Sequence, residues 1–148
     1  MKPHRRIKKT KELAKKSKIK YQIIFVLGLI FWLGVIFLFS SEQSLHSPFS
    51  HNVDLFLRKM AHILEYFILT FFVYWALFFF KNNLLLSIFL VALSYAFFDE
   101  WHQSFVIGRE GTLRDVLFDL VGIFLGVYFI NKQRRFLPLK SQKKLKLS

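Results

Sequence analysis

Ionisable side chains stand at helical spacing beside the apolar runs of this sequence. Residues three or four positions apart share one face of a helix, and His62 and Glu65 meet this condition. Asp115 and Asp119 form a second such pair, and a third polar stripe begins at Asp99. Imidazole and carboxylate groups bind divalent metals that activate water, and a histidine beside a carboxyl group of raised pKa can act as an acid–base pair. The candidates for this chemistry are His62, Glu65, Asp99 and Asp119, with His102 as a further metal ligand.

The same part of the sequence could instead bind a ligand without turnover. Lys59 and Arg109 would hold anionic groups, and aromatic residues such as Trp101 would supply apolar contact at the membrane surface. The residues expected to contribute to binding are Lys59, Glu100, Gln103, Arg109 and Asp115. The sequence has no nucleophile elbow, phosphate-binding glycine loop or cofactor motif. The cofactor therefore stays unknown, with a divalent metal as one candidate.

Acidic residues outnumber cations in this region. Between residues 40 and 119, leaving out Lys81, the sequence holds eight carboxylates and four cations. The cations are Arg58, Lys59, Arg109 and Arg114. An ionised carboxylate near the centre of a membrane helix costs at least ~2.5–3.5 kcal/mol, so Glu65 and Asp119 are expected to face a shared wet cavity and to pair with these cations. The remaining negative charge needs protons, charged histidines, water or a bound cation, and a purely structural salt-bridge network is an incomplete explanation.

Four apolar runs must position these side chains. The longest covers residues 21–39 and can cross a bilayer core of ~30 Å as a helix that rises ~1.5 Å per residue. The others cover residues 66–80, 84–98 and 116–130. Each of these three would be only ~22 Å long, so it crosses the membrane only by taking in the polar residues at one end. Antiparallel neighbours place those three polar ends on the same side of the membrane. The glycine stripe of Gly122 and Gly126 is expected to face the hairpin of spans two and three, which turns both aspartates of the fourth span inward.

Charge is segregated along the chain. Of the 148 residues, 54% are hydrophobic and 19% aromatic, yet the net charge is +13. Residues 1–20 hold ten Lys or Arg and one acid, residues 131–148 hold seven and no acid, and residues 21–130 are net acidic. We therefore predict a four-helix domain over residues 21–130 between two basic tails, 1–20 and 131–148. The composition excludes a disordered chain, the lack of Cys excludes disulfides and thiolate metal sites, and nothing supports nucleic-acid binding.

The predicted fold is all-α, a polytopic membrane protein with four transmembrane helices and both termini cytoplasmic. Lys and Arg near the membrane mark the cytoplasmic side, and both tails and the connection at residues 81–83 fall on one side of a four-span path. The polar helix ends then face outward from the plasma membrane. A signal peptide is the alternative for the first run, but the apolar regions of signal peptides are usually shorter, at roughly 7–15 residues.

Several short motifs, taken in order, resemble the VanZ-like membrane protein family over about residues 21–130. They are Phe39-Ser40-Ser41-Glu42-Gln43-Ser44, Lys59-x-x-His62-x-x-Glu65-Tyr66, Asp99-Glu100-x-x-Gln103-x-Phe105, Gly108-Arg109-x-Gly111, Asp115 and Asp119-x-x-Gly122. The chain departs from the family pattern at Ile107, where Pro is common, and at Asp119, where Asn is common. The family is named for a protein associated with low-level resistance to teicoplanin, a lipid-tailed glycopeptide antibiotic that acts outside the membrane.

This resemblance implies a role in the cell-envelope response to such antibiotics. The first hypothesis is that an outward-facing polar site binds a lipid headgroup, a lipid-linked cell-wall precursor or the lipoglycopeptide itself. The alternative is a membrane-embedded metal- or acid/base-dependent hydrolase that acts on a lipid-linked phosphate or another envelope substrate. A transporter or proton relay is disfavoured because no charge continues the polar path through residues 67–80 or 120–130. The expected partners are membrane lipids, and no nucleic acid is expected.

Overall fold

The chain forms four α-helices in the computed structural model, which describes residues 3–42, 51–78, 83–107, 109 and 111–136. The helices are α1 (Pro3–Ser41), α2 (His51–Leu77), α3 (Leu84–Gln103) and α4 (Leu113–Phe136). Over these described ranges there is no β-strand. The prediction of an all-α fold is confirmed.

The helices take in the polar residues that the apolar runs alone leave out. The helix α3 begins at Leu84, as the sequence predicts, and continues through its polar end to Gln103. Both α2 and α4 begin well before the apolar runs at 66 and 116. The helix α1 starts at Pro3 and so includes most of the predicted basic tail, where good helix formers such as Lys, Glu, Ala and Leu predominate and no glycine interrupts. Residues 81 and 82 of the predicted tight connection lie outside the described residues.

Three of the helices are long and apolar enough to cross a membrane. The qualifying segments are Lys16–Ser41, Asn52–Leu77 and Leu84–Gln103. The helix α4, which carries two aspartates, is not among these three. Its 24 residues nevertheless make it about 36 Å long, and it packs against α2 and α3. Large apolar side chains cover the outside of the bundle, among them Phe31, Leu64 and Phe124, as expected of a surface that faces lipid.

The helices α2 and α4 run parallel and approach each other closely at two glycines. A Cβ atom added at Gly122 would lie 2.3 Å from the carbonyl oxygen of Ile63, and one added at Gly126 would lie 2.7 Å from Cβ of Thr70. Small residues allow this approach of two backbones in a membrane, where packing replaces the hydrophobic effect. The prediction that the glycine stripe faces the second and third helices is confirmed for α2.

Aromatic side chains hold α1 antiparallel to α2. The rings of Phe25 and Trp75 stack with their centroids 5.2 Å apart, and those of Trp32 and Phe72 stack at 6.0 Å. The indole of Trp32 also donates a 3.0 Å hydrogen bond to the Glu65 carbonyl oxygen. The helix α1 thus runs antiparallel to α2 from the level of Trp75, near the carboxyl end of α2, to at least the level of Glu65, near its middle.

Candidate functional site

The polar helix ends meet at one end of the bundle. The carboxyl ends of α1 and α3 lie beside the amino ends of α2 and α4, and side-chain contacts join all four. For example, Gln103 of α3 donates to the Ser40 hydroxyl of α1 at 2.7 Å. The expectation that the three short spans place their polar ends together is confirmed by these contacts. We call the group His62, Glu65, Asp99, Glu100, Gln103 and Asp119 the polar cluster.

The centre of the polar cluster is a contact between His62 of α2 and Asp119 of α4. The Nδ1 atom of His62 lies 2.8 Å from Oδ1 of Asp119. Only 7% of His62 and none of Asp119 is exposed. Since Gly122 lies one helical turn after Asp119, the close approach of the two backbones at that glycine brings the two side chains together. The second oxygen of Asp119, Oδ2, is buried and has no hydrogen-bond partner.

The carboxylate of Glu100, on α3, lies close to the contact of His62 with Asp119. Its Oε2 atom accepts a 2.8 Å hydrogen bond from the backbone N–H of Thr112, the residue before α4. A helix leaves its first N–H groups without intrahelical partners, so this carboxylate satisfies one of them. The other oxygen, Oε1, is buried without a partner. The carboxylates of Glu100 and Asp119 therefore each have one oxygen held by the protein and one that the protein leaves free.

One ligand atom from each of His62, Glu100 and Asp119 lies within 4.8 Å of the other two. All three residues are buried. Within the described ranges this is the group whose imidazole and carboxylate atoms are close enough to hold one metal ion. The sequence predicted metal ligands among His62, Glu65, Asp99, His102 and Asp119. The structure adds Glu100 to His62 and Asp119 as a possible ligand. The ring of His102 packs on Phe37 instead, with the ring centroids 4.2 Å apart.

Asp99 belongs to a neighbouring contact that ties α3 to α1. Its Oδ2 atom accepts a 3.0 Å hydrogen bond from Gln103, whose amide also reaches the Ser40 hydroxyl. Asp99 and Gln103 are each only 2% exposed. Because Asp99 and Gln103 are four positions apart, the polar stripe predicted for this helix is confirmed as one face, and that face points toward α1.

The expected pairing of Glu65 and Asp119 with arginine or lysine is wrong. Asp119 contacts His62, and the Glu65 carboxylate, which is partly buried, makes no hydrogen bond or ion pair within the described part of the chain. Arg58 instead pairs with Asp54 at 2.8 Å, one helical turn away on α2. Local i, i+4 pairs need no correct packing between helices, which explains why Arg58 is used within its own helix.

Lys59 and Asp115, two predicted binding residues, form an ion pair with each other at the polar end of the bundle. The ammonium group of Lys59 also lies 5.1 Å from the ring centroid of Phe118. Thr112 donates its hydroxyl hydrogen to Asp115 at 3.3 Å. The spacing of Thr112 and Asp115 is typical of a helix N-cap. Sequence reasoning missed Thr112, and this pattern was the available signal for it.

Arg109, the remaining predicted binding residue, closes the end of α1. It donates from Nη2 to the Phe39 carbonyl oxygen and from Nε to the Glu42 carbonyl oxygen, both at 2.9 Å. The last carbonyls of a helix have no intrahelical partner and attract cations. Burial lowers the pKa of Arg109, but a guanidinium stays protonated at physiological pH. The structure therefore shows Arg109 bonded to the backbone at the carboxyl end of α1.

Taken together, the helices and the polar cluster define a multi-pass α-helical membrane protein with a buried ionisable site at one end of its bundle. Residues 25–132 match the model of the family described as VanZ/LLP1, and the chain belongs to this family. The resemblance in the motifs is thereby confirmed.

One relative in the sequence comparisons is also described as a membrane protein. The chain is 34% identical over 84 residues to YwnJ, an uncharacterized membrane protein of Bacillus subtilis (strain 168). The match covers 55% of this chain and 56% of the relative, so the chain spans about half the length of the curated relative it matches. No solved structure matches the chain.

Proposed function

We propose that this protein acts in the plasma membrane, in the cell-envelope response to lipid-tailed glycopeptides such as teicoplanin. In this proposal the polar cluster opens toward the outer leaflet and binds the polar end of a lipid or of a lipid-linked cell-wall precursor. The observation that carries the proposal is the burial of several ionisable side chains together at one end of an otherwise apolar bundle. Ionisable residues within a membrane are costly and mark functional sites by default.

The surroundings of the polar cluster suit a ligand that is part polar and part apolar. Trp101 and Phe105 are 61% and 69% exposed and pack edge to face with their centroids 5.3 Å apart. Aromatic side chains favour the membrane–water interface, where an apolar ring and a polar surface are both satisfied. A lipid bound there would place its chain among such rings and its headgroup beside the ion pair of Lys59 and Asp115.

Binding is proposed in preference to hydrolysis. The family match and the name of the relative give the hydrolase no support, whereas interference with a lipid tail would explain how a membrane protein affects a drug that acts outside the cell. The basic segments at both ends would contact anionic lipid at the inner leaflet, at ~1 kcal/mol per Lys or Arg near the surface.

The test is a drug-tolerance assay on variants of the polar cluster. In a bacterial host that gains teicoplanin tolerance from this protein, His62→Ala and Glu65→Gln are expected to abolish the gain while membrane abundance stays unchanged. Glu12→Gln is the matched control because Glu12 lies on the exposed surface of α1, far along the chain from the polar cluster. If His62→Ala and Glu65→Gln both kept full tolerance at normal membrane abundance, the assignment of the polar cluster as the functional site would be wrong.

Two further arms of the assay define the ligand. A glycopeptide without a lipid tail should show little change in tolerance when the protein is expressed. Native mass spectrometry of the purified full chain should show retention of phosphatidylglycerol or of a polyprenyl pyrophosphate, and weaker retention in His62→Ala. Equal tolerance toward tailed and untailed drugs would contradict the role of the lipid tail.

A further inference from the structure

We propose that His62, Glu100 and Asp119 form a binding site for one divalent transition-metal ion. Their ligand atoms lie within 4.8 Å of one another. Ligands that bind one tetrahedral ion at about 2.0–2.2 Å lie about 3.3–3.6 Å apart, so the side chains need to close gaps of at most about 1.5 Å, shared among three residues. The three residues come from three different helices, so an ion at this position would join α2, α3 and α4. The inference does not depend on the proposed function, because the metal alone is the ligand.

Two unpartnered oxygens point to a ligand rather than to a finished protein network. Oε1 of Glu100 and Oδ2 of Asp119 are buried without a hydrogen-bond partner, and the two residues are 6% and 0% exposed. Buried polar atoms are almost always satisfied, and each exception calls for an explanation such as an ion or a water molecule. One ion between the two carboxylates would satisfy both oxygens.

Each ligand is already held in place by a second group. Thr112 N–H holds Glu100 through Oε2, and the contact between Nδ1 and Oδ1 fixes His62 and Asp119 against each other. In metal sites of proteins, histidine and carboxylate ligands are commonly oriented by such outer hydrogen bonds. The N–H of Thr112 gives Glu100 an outer hydrogen bond of this kind, whereas the contact of His62 with Asp119 joins two of the proposed ligands and keeps them close together.

Within the described residues, no lysine or arginine pairs directly with these two carboxylates, and His62 is the basic side chain that contacts one of them, that of Asp119. The charge of Lys59 attracts both carboxylates without pairing with either. Lys59 pairs with Asp115, Arg58 pairs with Asp54, and Arg109 donates to backbone carbonyls of the α1 end. Two carboxylates in a buried environment need a proton or a cation close by, because desolvated negative charge is costly. A divalent ion compensates the charge of Glu100 and Asp119 together.

The ligand types select the kind of ion. A site with one imidazole and two carboxylates suits Zn²⁺ or Mn²⁺, whereas Mg²⁺ and Ca²⁺ prefer oxygen ligands alone. Three protein ligands also leave a coordination position for water or for an oxygen of another molecule. We therefore expect Zn²⁺ and Mn²⁺ to bind more tightly than Mg²⁺.

The experiment measures metal binding by the full chain. The protein is purified in detergent with a chelator, freed of chelator, incubated with Zn²⁺, Mn²⁺ or Mg²⁺ alone and analysed for bound metal by mass spectrometry. One Zn²⁺ or Mn²⁺ per chain is expected. Glu100→Gln and Asp119→Asn, which keep the shape of each side chain and remove a charged ligand, should each weaken the affinity by at least about tenfold. The matched control is Glu42→Gln, since Glu42 is exposed at the same end of the bundle.

Several outcomes would overturn the metal site. They are the absence of bound Zn²⁺ and Mn²⁺ in the wild type, equal binding in Glu100→Gln and Asp119→Asn, and equal affinity for Mg²⁺. If a variant does not fold, thermal unfolding of the wild type with and without Zn²⁺ or Mn²⁺ still tests the site. The ion should raise the melting temperature of the wild type and of Glu42→Gln, and an unchanged wild-type melt would also overturn the site.

Discussion

The substitution Gly122→Ala is expected to separate α2 from α4 and to weaken the centre of the polar cluster. The added Cβ atom would lie 2.3 Å from the Ile63 carbonyl oxygen, and real Cβ contacts are essentially never shorter than 3.0 Å. The two backbones must therefore move apart by about 0.7 Å at this point, because a carbonyl in a helix cannot rotate away. If the same shift reaches the 2.8 Å contact of His62 with Asp119, the two atoms come to about 3.5 Å, where a hydrogen bond is weak.

The size of the effect follows from two opposing contributions. Overpacking of a well-packed interface costs about 1–3 kcal/mol, and replacing glycine by alanine inside a helix returns about 1 kcal/mol. Since the contact is between backbones, the cost should lie toward the upper end, and the net loss should be about 1–2 kcal/mol. By the scaling for soluble domains of this size, the melting temperature should fall by about 3–6 °C.

The assay is thermal unfolding of the purified protein in detergent, with Gly34→Ala as the matched control. A Cβ atom added at Gly34 meets no atom within 4 Å, so this variant should melt at or slightly above the wild-type temperature. The reasoning would be refuted if Gly122→Ala melted at the same temperature as Gly34→Ala, since the helices would then not be in backbone contact at residue 122.

Two other predictions concern the membrane topology and the ion pair of Lys59 with Asp115. In this Cys-free chain, Ile107→Cys should react with an impermeant thiol reagent from outside the cell, and Gln133→Cys should not. The reason is that Ile107 is 80% exposed at the polar end of the bundle, whereas Gln133 lies near the opposite end of α4. Labelling of Gln133→Cys but not of Ile107→Cys would mean that the membrane orientation is the reverse of the predicted one. A double-mutant cycle with Lys59→Met and Asp115→Asn should give a coupling of about 0.5–1 kcal/mol in thermal or denaturant unfolding, since both side chains are partly exposed, and a coupling near zero would mean that this ion pair contributes nothing to stability.

The sequence predicts the helices well because its apolar runs have clear lengths and its charges are segregated. The three short runs could cross a membrane only with their polar ends included, and α3 indeed includes its polar end up to Gln103. The glycine stripe at Gly122 and Gly126 correctly indicated a close helix contact, since that inference needs only the spacing of small residues. The shared location of the polar ends followed from the alternation of span direction.

Which residues contact one another in and around the polar cluster could not be predicted in the same way. Glu100 was predicted as a binding residue and left out of the candidate metal ligands, and the structure places it with His62 and Asp119, while His102 on the same helix packs against Phe37. Nothing in the sequence indicated that Arg109 bonds to carbonyls at the end of α1. These outcomes depend on how far each helix is rotated about its axis and where each loop returns.

The sequence by itself therefore determined the four apolar helices, which of their ends are polar, and that those ends share one side of the bundle, because length, hydropathy and span direction are local or additive properties. It did not predict that α1 extends back to Pro3 through the basic segment. Only the tertiary structure decided which carboxylate faces which base. Helical periodicity tells which residues share a face, but the rotation and offset of one helix against another come from packing, here from the backbone contact at Gly122 and the bond from Thr112 to Glu100. These contacts between distant parts of the chain bring His62, Glu100 and Asp119 together.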